Sequence, residues 1–223
     1  MAKSQTYYHT IDAKIATNIG EDSISDPIQA VLELAKNSLD ADSLELIVNF
    51  VGQPVQGDPD TYHIDKIVIT DKGIAMHDKD ISGKYFRIGT DNKMRNTESP
   101  ILKRRVVGEK GQGHYAAKRL GNKCVITSNP LEYPGRDFDP SIDKTIIATI
   151  DWNKFVPGGN FTEIPSYANI QERTQPDCLC KLRNGRHPHH GLKIELSELK
   201  EPIWTRLELD RVKLALSGLR VPA

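Results

Sequence analysis

Glu33-Leu34-Ala35-Lys36-Asn37-Ser38-Leu39-Asp40 is the stretch on which the fold turns. It closes a segment that reads as a helix over 25–40. Ser25 or Asp26 can cap the start, and Pro27 suits the first turn, where its missing N–H is no loss. At about 100° per residue, Ile28, Leu32, Ala35 and Leu39 form one stripe. Glu33, Asn37 and Asp40 form another, well round the helix from the first. A carboxylate and a carboxamide therefore share one face, one turn apart. Such a carboxylate can take a proton from a water within hydrogen-bond reach, and a carboxamide oxygen can bind a hard cation such as Mg²⁺. Taken alone, the same pattern also describes the solvated side of an amphipathic helix.

Two further stretches bear on that choice. Leu44 to Val51 and His63 to Thr70 read as strands joined by a Gly/Pro-rich loop at 52–60. The second strand runs through Ile67-Val68-Ile69-Thr70 into Asp71-Lys72-Gly73. A carboxylate at the end of a buried strand can accept from an exocyclic amine, with Gly73 allowing the backbone a close approach. An ordinary Asp-x-Gly turn looks the same. Further on, Gly108-Glu109-Lys110-Gly111-Gln112-Gly113-His114-Tyr115 is a glycine turn opening a helix over Gly113–Leu120. Backbone N–H groups at such a helix start favour phosphate. The glycine spacing is that of a dinucleotide fingerprint, but 96–107 is no clean strand, so the βαβ context is missing. A Walker lysine is excluded as well, because Lys110 precedes Gly111 and no Gly-Lys-Ser/Thr occurs. Lys110 either reaches a phosphate or stands in solvent.

The rest of the chain fills in the fold. Asp78 to Arg87 reads as a short helix, and 88–107 is polar, basic and poorly periodic. Cys124 to Ser128 and Thr145 to Trp152 read as strands, 153–190 carries mixed turn signals and histidines, and Leu192 to Leu196 is a last alternating strand. Ile203 to Leu219 reads as a final helix, with apolar residues at 207, 209, 212, 214 and 216. Trp152 and Trp204 are expected in the core. Helices and strands mix without strict βαβ alternation, which argues for an α+β fold, a two-layer α/β sandwich with a mixed sheet.

In this order the three stretches resemble the GHKL ATPases: the gyrase ATPase subunit, the ninety-kilodalton heat-shock chaperones, the MutL-type repair ATPases and the histidine kinases. The resemblance covers roughly residues 10–200. It implies the Bergerat-type fold, with a mainly antiparallel sheet, and Mg²⁺-dependent binding and hydrolysis of ATP. By it, Glu33 is the general base, Asn37 the magnesium ligand and Asp71 the acceptor of the adenine amino group. Gly73 and Met76 join the nucleotide-binding set with Gly108, Lys110, Gly111, Gln112, Gly113 and His114, and Asp40 supports the site. Residues of about 84–110 become a lid over the triphosphate. One departure stands out. The closing strand of many relatives begins Gly-Thr, whereas here the pair is Gly191-Leu192; either the register differs or a water-mediated adenine contact is missing.

The domain expectation is an ATP-binding unit over 1–200, with a variable insertion at about 153–190. The helix at 201–223 would lead into a further domain. Relatives of the gyrase and repair type take a phosphate-contacting lysine from such a domain and dimerise on binding ATP, so slow turnover of this chain and an ATP-dependent homodimer are expected. The partner beyond ATP and ADP is a DNA or a protein client. Two other readings remain: a nucleotide switch that does not hydrolyse, and a histidine-kinase-like phosphotransfer domain. The second lacks a phosphoacceptor helix pair, since Ile11 to Ile19 is too short for one.

Composition narrows the class. Lys plus Arg and Asp plus Glu are 30 each, so the formal net charge is zero and a general polyanion binder is disfavoured. The Lys103-Arg104-Arg105 cluster leaves a local DNA-contacting patch open beside the lid and exposed-loop readings. The three cysteines, Cys124, Cys178 and Cys180, make no disulfide framework. Cys178 and Cys180 with His187, His189 and His190 offer zinc-type ligands, but one residue between the cysteines is poor spacing; a polar insertion is the other reading. No apolar run reaches membrane-spanning length and the N-terminus lacks a signal-peptide pattern, so the expected location is the cytoplasm, with no membrane partner.

Overall fold

The structure is a computed structural model that describes residues 24, 26–85, 98–107, 113–131, 144–159, 166–172 and 190–219. Helix α1 (Pro27–Asp40) starts where Asp26 accepts a 2.9 Å hydrogen bond from Ile28 N–H, with Pro27 in the first turn. It is followed by the long hairpin β1 (Leu46–Val55) and β2 (Asp58–Asp71). The 52–60 stretch expected as a loop is almost entirely strand. Gly57, at φ 84, supports a turn so tight that both strands extend into it. Next come the short α2 (Asp78–Asp80), continued by a π turn (Ile81–Tyr85), then α3 (Gly113–Leu120), β3 (Gly121–Asn129) and β4 (Lys144–Asp151). The remaining elements among the described residues are β5 (Tyr167–Glu172), β6 (Gly191–Leu199), β7 (Ile203–Thr205) and α4 (Arg206–Ser217).

The strands form one sheet in the order β1-β2-β6-β3-β4-β5, with β7 against the far part of β2 and every pairing antiparallel. Helices α1, α3 and α4 cover one face. Between the layers lie Ile64, Ile67 and Ile69 of β2, Cys124 and Ile126 of β3, Ile146 and Ile150 of β4, and Ile194 and Leu196 of β6. Their alternation along each strand is what a sheet with one covered face requires. Trp152 and Trp204 are buried as expected, and Trp204 meets Phe50 edge-on at 5.0 Å between ring centroids.

Three further expectations need correction. The buried side of α1 is Ala30, Val31, Leu34, Ala35 and Ser38, whereas Leu32 and Leu39 are only partly covered. Its small residues allow a close approach to the sheet and to Ala116 and Ala117 of α3, which a ranking by hydrophobicity overlooks. The 153–190 stretch contains a strand, β5, which pairs with β4. Ile203–Thr205 is a strand and not the first turn of the final helix, because Thr205 caps α4 through a capping box with Glu208. In α4 only Val212 is fully buried; Leu209 and Leu216 pack against the core, and Leu207 and Leu214 are exposed.

Candidate nucleotide site

Asp71 ends β2 opposite Leu46 and is only 3% exposed. Its Oδ2 accepts from Ser38 Oγ at 2.8 Å, and its Oδ1 accepts from Gly73 N–H at 2.8 Å and Leu192 N–H at 3.3 Å. Burial raises its pKa, while the bonds from Gly73, Ser38 and Leu192 pull the other way. Helix α1, the Asp-x-Gly turn and the start of β6 therefore converge on one carboxylate. Thr70 pairs with Lys193, so β6 is in register beside Asp71, and position 192 reaches it through its backbone without a hydroxyl.

Gly73 makes a close approach within the fold itself. A Cβ there would lie 2.5 Å from the Ala41 carbonyl, and Ile74 N–H donates to that same carbonyl at 2.8 Å. The glycine thus lets the turn pack on the end of α1. Met76 is held by Ser128, whose Oγ accepts from its N–H at 2.9 Å and donates to its carbonyl at 2.6 Å. His190 Nδ1 lies 2.6 Å from the Gly73 carbonyl. A carbonyl can only accept, so that nitrogen carries the hydrogen. Of the suggested zinc ligands, His190 thus joins the Asp-x-Gly turn, while Cys178, Cys180, His187 and His189 lie outside the described residues. Among the described residues no cluster of metal-ligating side chains occurs.

Glu33 and Asn37 stand one turn apart on the partly exposed side of α1, next to the buried Ser38 that reaches Asp71. Glu33 Oε1 accepts from Lys36 Nζ at 2.6 Å and from Gln29 Nε2 at 2.9 Å. Asp40 Oδ1 accepts from Val107 N–H at 2.8 Å, which ties the chain just before Gly108 to the helix. Gly108, Lys110, Gly111 and Gln112 lie outside the described residues; Gly113 and His114 open α3. Arg104 is buried, so Lys103-Arg104-Arg105 is no continuous basic surface. Burial pushes the Cys124 thiol up to about 12 and excludes it as a nucleophile at neutral pH.

Sequence reasoning passed over Ser38, Leu192 and His190 as partners of the Asp71 turn. Ser38 had one usable signal: a polar residue on the buried side of α1. A backbone donor such as that of Leu192 has none, because any residue supplies it.

The chain matches the family model described as "Histidine kinase-, DNA gyrase B-, and HSP90-like ATPase" over residues 24–175. It belongs to this family, whose members bind ATP. It is also 31% identical over 111 residues to "Putative type II restriction enzyme HgiDII" of Herpetosiphon aurantiacus, a match over 50% of this chain and 16% of that protein. The chain thus matches about a sixth of the length of that curated relative. No helix among the described residues is long and apolar enough to cross a membrane.

Proposed function

We propose that this chain binds Mg²⁺-ATP among the Glu33 helix, the Asp71 strand end and the Gly108–Gly113 turn, and hydrolyses it slowly to ADP and phosphate. The observation that carries the reading is the buried Asp71 carboxylate, held by Ser38, Gly73 and Leu192. Such an acceptor suits the adenine amino group. Asn37 offers the oxygen donor that a hard cation takes, and Mg²⁺ would supply charge neutralisation at the phosphates. Glu33 takes a proton from the water that attacks the γ-phosphate in line, and positioning does most of the rest. Calorimetric titration with ATP and a non-hydrolysable analogue tests the reading: Mg²⁺-dependent binding supports it, and no binding overturns it.

A second reading is favoured by the Lys36 and Gln29 contacts to Glu33, which engage Oε1 of the carboxylate that hydrolysis needs. In it the domain is a nucleotide switch without turnover. ATP-dependent closure or dimerisation serves either reading. The restriction-enzyme relative favours DNA over a protein client, and stimulation of turnover by duplex DNA is the check.

A further inference from the structure

The C-terminal end of α1 has a bonding pattern in which glycine is the usual residue. Asp42 N–H donates to the Leu39 carbonyl and Ser43 N–H to the Ser38 carbonyl, both at 3.1 Å, with Asp42 at φ 60. A Cβ is disfavoured in that left-handed position, which is why glycine dominates there. Here the position holds a buried aspartate, and its side chain does what glycine could not. Oδ2 accepts from Ile101 N–H at 2.7 Å and Oδ1 from Leu102 N–H at 3.1 Å.

Those two amides are the tip of a small hairpin. Its stem is the Glu98–Arg105 bridge, with Ser99 N–H donating to the Arg104 carbonyl at 2.7 Å and Arg104 N–H to Ser99 Oγ at 2.9 Å. The Arg104 guanidinium is folded beneath it: Nη2 donates to the Ser43 carbonyl at 3.3 Å and Nε lies 4.0 Å from Asp42 Oδ1. Two residues beyond the stem, Val107 is tied to Asp40. The segment is therefore fastened to the end of α1 at its tip, at its stem and at its exit.

We propose that Asp42 is a positioning residue for the nucleotide site. Its carboxylate docks the 98–107 hairpin on the helix that carries Glu33 and Asn37, and so fixes the chain up to Val107, just before the glycine stretch that the sequence reads as a turn. The inference rests on the reading of that turn as the triphosphate cradle. Asp42 itself touches no nucleotide.

Asp42→Gly keeps the helix ending and removes the dock together with the carboxylate beside Arg104, so it is the comparison of ATP with adenosine that separates a positioning role from a merely structural one. The full chain and this variant are compared by amide hydrogen exchange and by calorimetric affinity for ATP and for adenosine, which needs only the Asp71 end. Two hydrogen bonds to a charged acceptor are lost, so exchange at Ile101 and Leu102 should speed by roughly tenfold or more. ATP affinity should fall by a similar factor and adenosine affinity should hold, while the melting temperature drops, because the hairpin's bonds and the buried counter-charge of Arg104 are lost. Asp42→Asn, keeping one acceptor oxygen, should fall between. Unchanged exchange, unchanged ATP affinity, or equal losses for ATP and adenosine would each overturn the proposal. A wild type that binds neither nucleotide defeats the ATP reading instead, and the exchange rates still decide whether Asp42 docks the hairpin.

Discussion

Ser38 Oγ donates a 2.8 Å hydrogen bond to Asp71 Oδ2, joining the buried face of a helix to the end of a strand. The bond makes the carboxylate part of the helix–sheet interface, so the groups proposed for water activation and for adenine recognition sit on elements that cannot shift independently. Ser38→Ala removes a hydrogen bond to a buried charged acceptor, worth about 1.5–3 kcal/mol. Chemical denaturation should show a loss of that order, and the Asp71 pKa should rise further, because the Ser38 bond lowers it.

Asp71→Asn is the sharpest test of adenine recognition. The Ser38 hydroxyl can turn to accept from a carboxamide N–H, so the interface survives. Adenine would face a donor where it needs an acceptor, and ATP affinity should drop by roughly 10²-fold. Titration calorimetry checks this directly.

The same substitution reports on pH. Burial holds the Asp71 pKa above its ordinary 3.8 in the folded chain. The folded state therefore keeps the proton more tightly than the unfolded one. The associated stability is full below the unfolded value and is lost as pH rises through the folded value. Asp71→Asn escapes that loss. Its melting temperature should match or exceed wild type at neutral pH, with the gap narrowing below about pH 4.

Glu33→Ala separates the two functional readings. If Glu33 takes the proton from the attacking water, turnover should fall by about 10²–10⁴-fold while ATP binding is retained. ATP binding with no phosphate release above background in either wild type or variant would favour the switch.

Gly73→Ala tests the packing of the turn on α1. A Cβ 2.5 Å from the Ala41 carbonyl forces backbone to move, a cost of about 1–3 kcal/mol. Thermal unfolding should register it. Nucleotide affinity should weaken too, since Asp71 loses its 2.8 Å bond from Gly73 N–H as the turn shifts.

Local physics carried much of the fold. The Asp26 cap, Pro27 in the first turn and the apolar run into Asp71 identify α1 and the end of β2 without any tertiary knowledge, because capping and alternation are properties of neighbouring residues. The order of the three motifs also sufficed to place the chain in its ATPase family. Only the tertiary structure decided which side of α1 is buried, because that depends on how closely a facing layer approaches, and small residues win where layers touch. It alone assigned Gly73 to the Ala41 carbonyl, Leu192 N–H to Asp71, and the Asp42 carboxylate to two amides 59 and 60 residues away. Backbone donors have no sequence signature, and partners this distant meet only when the chain has closed around its core.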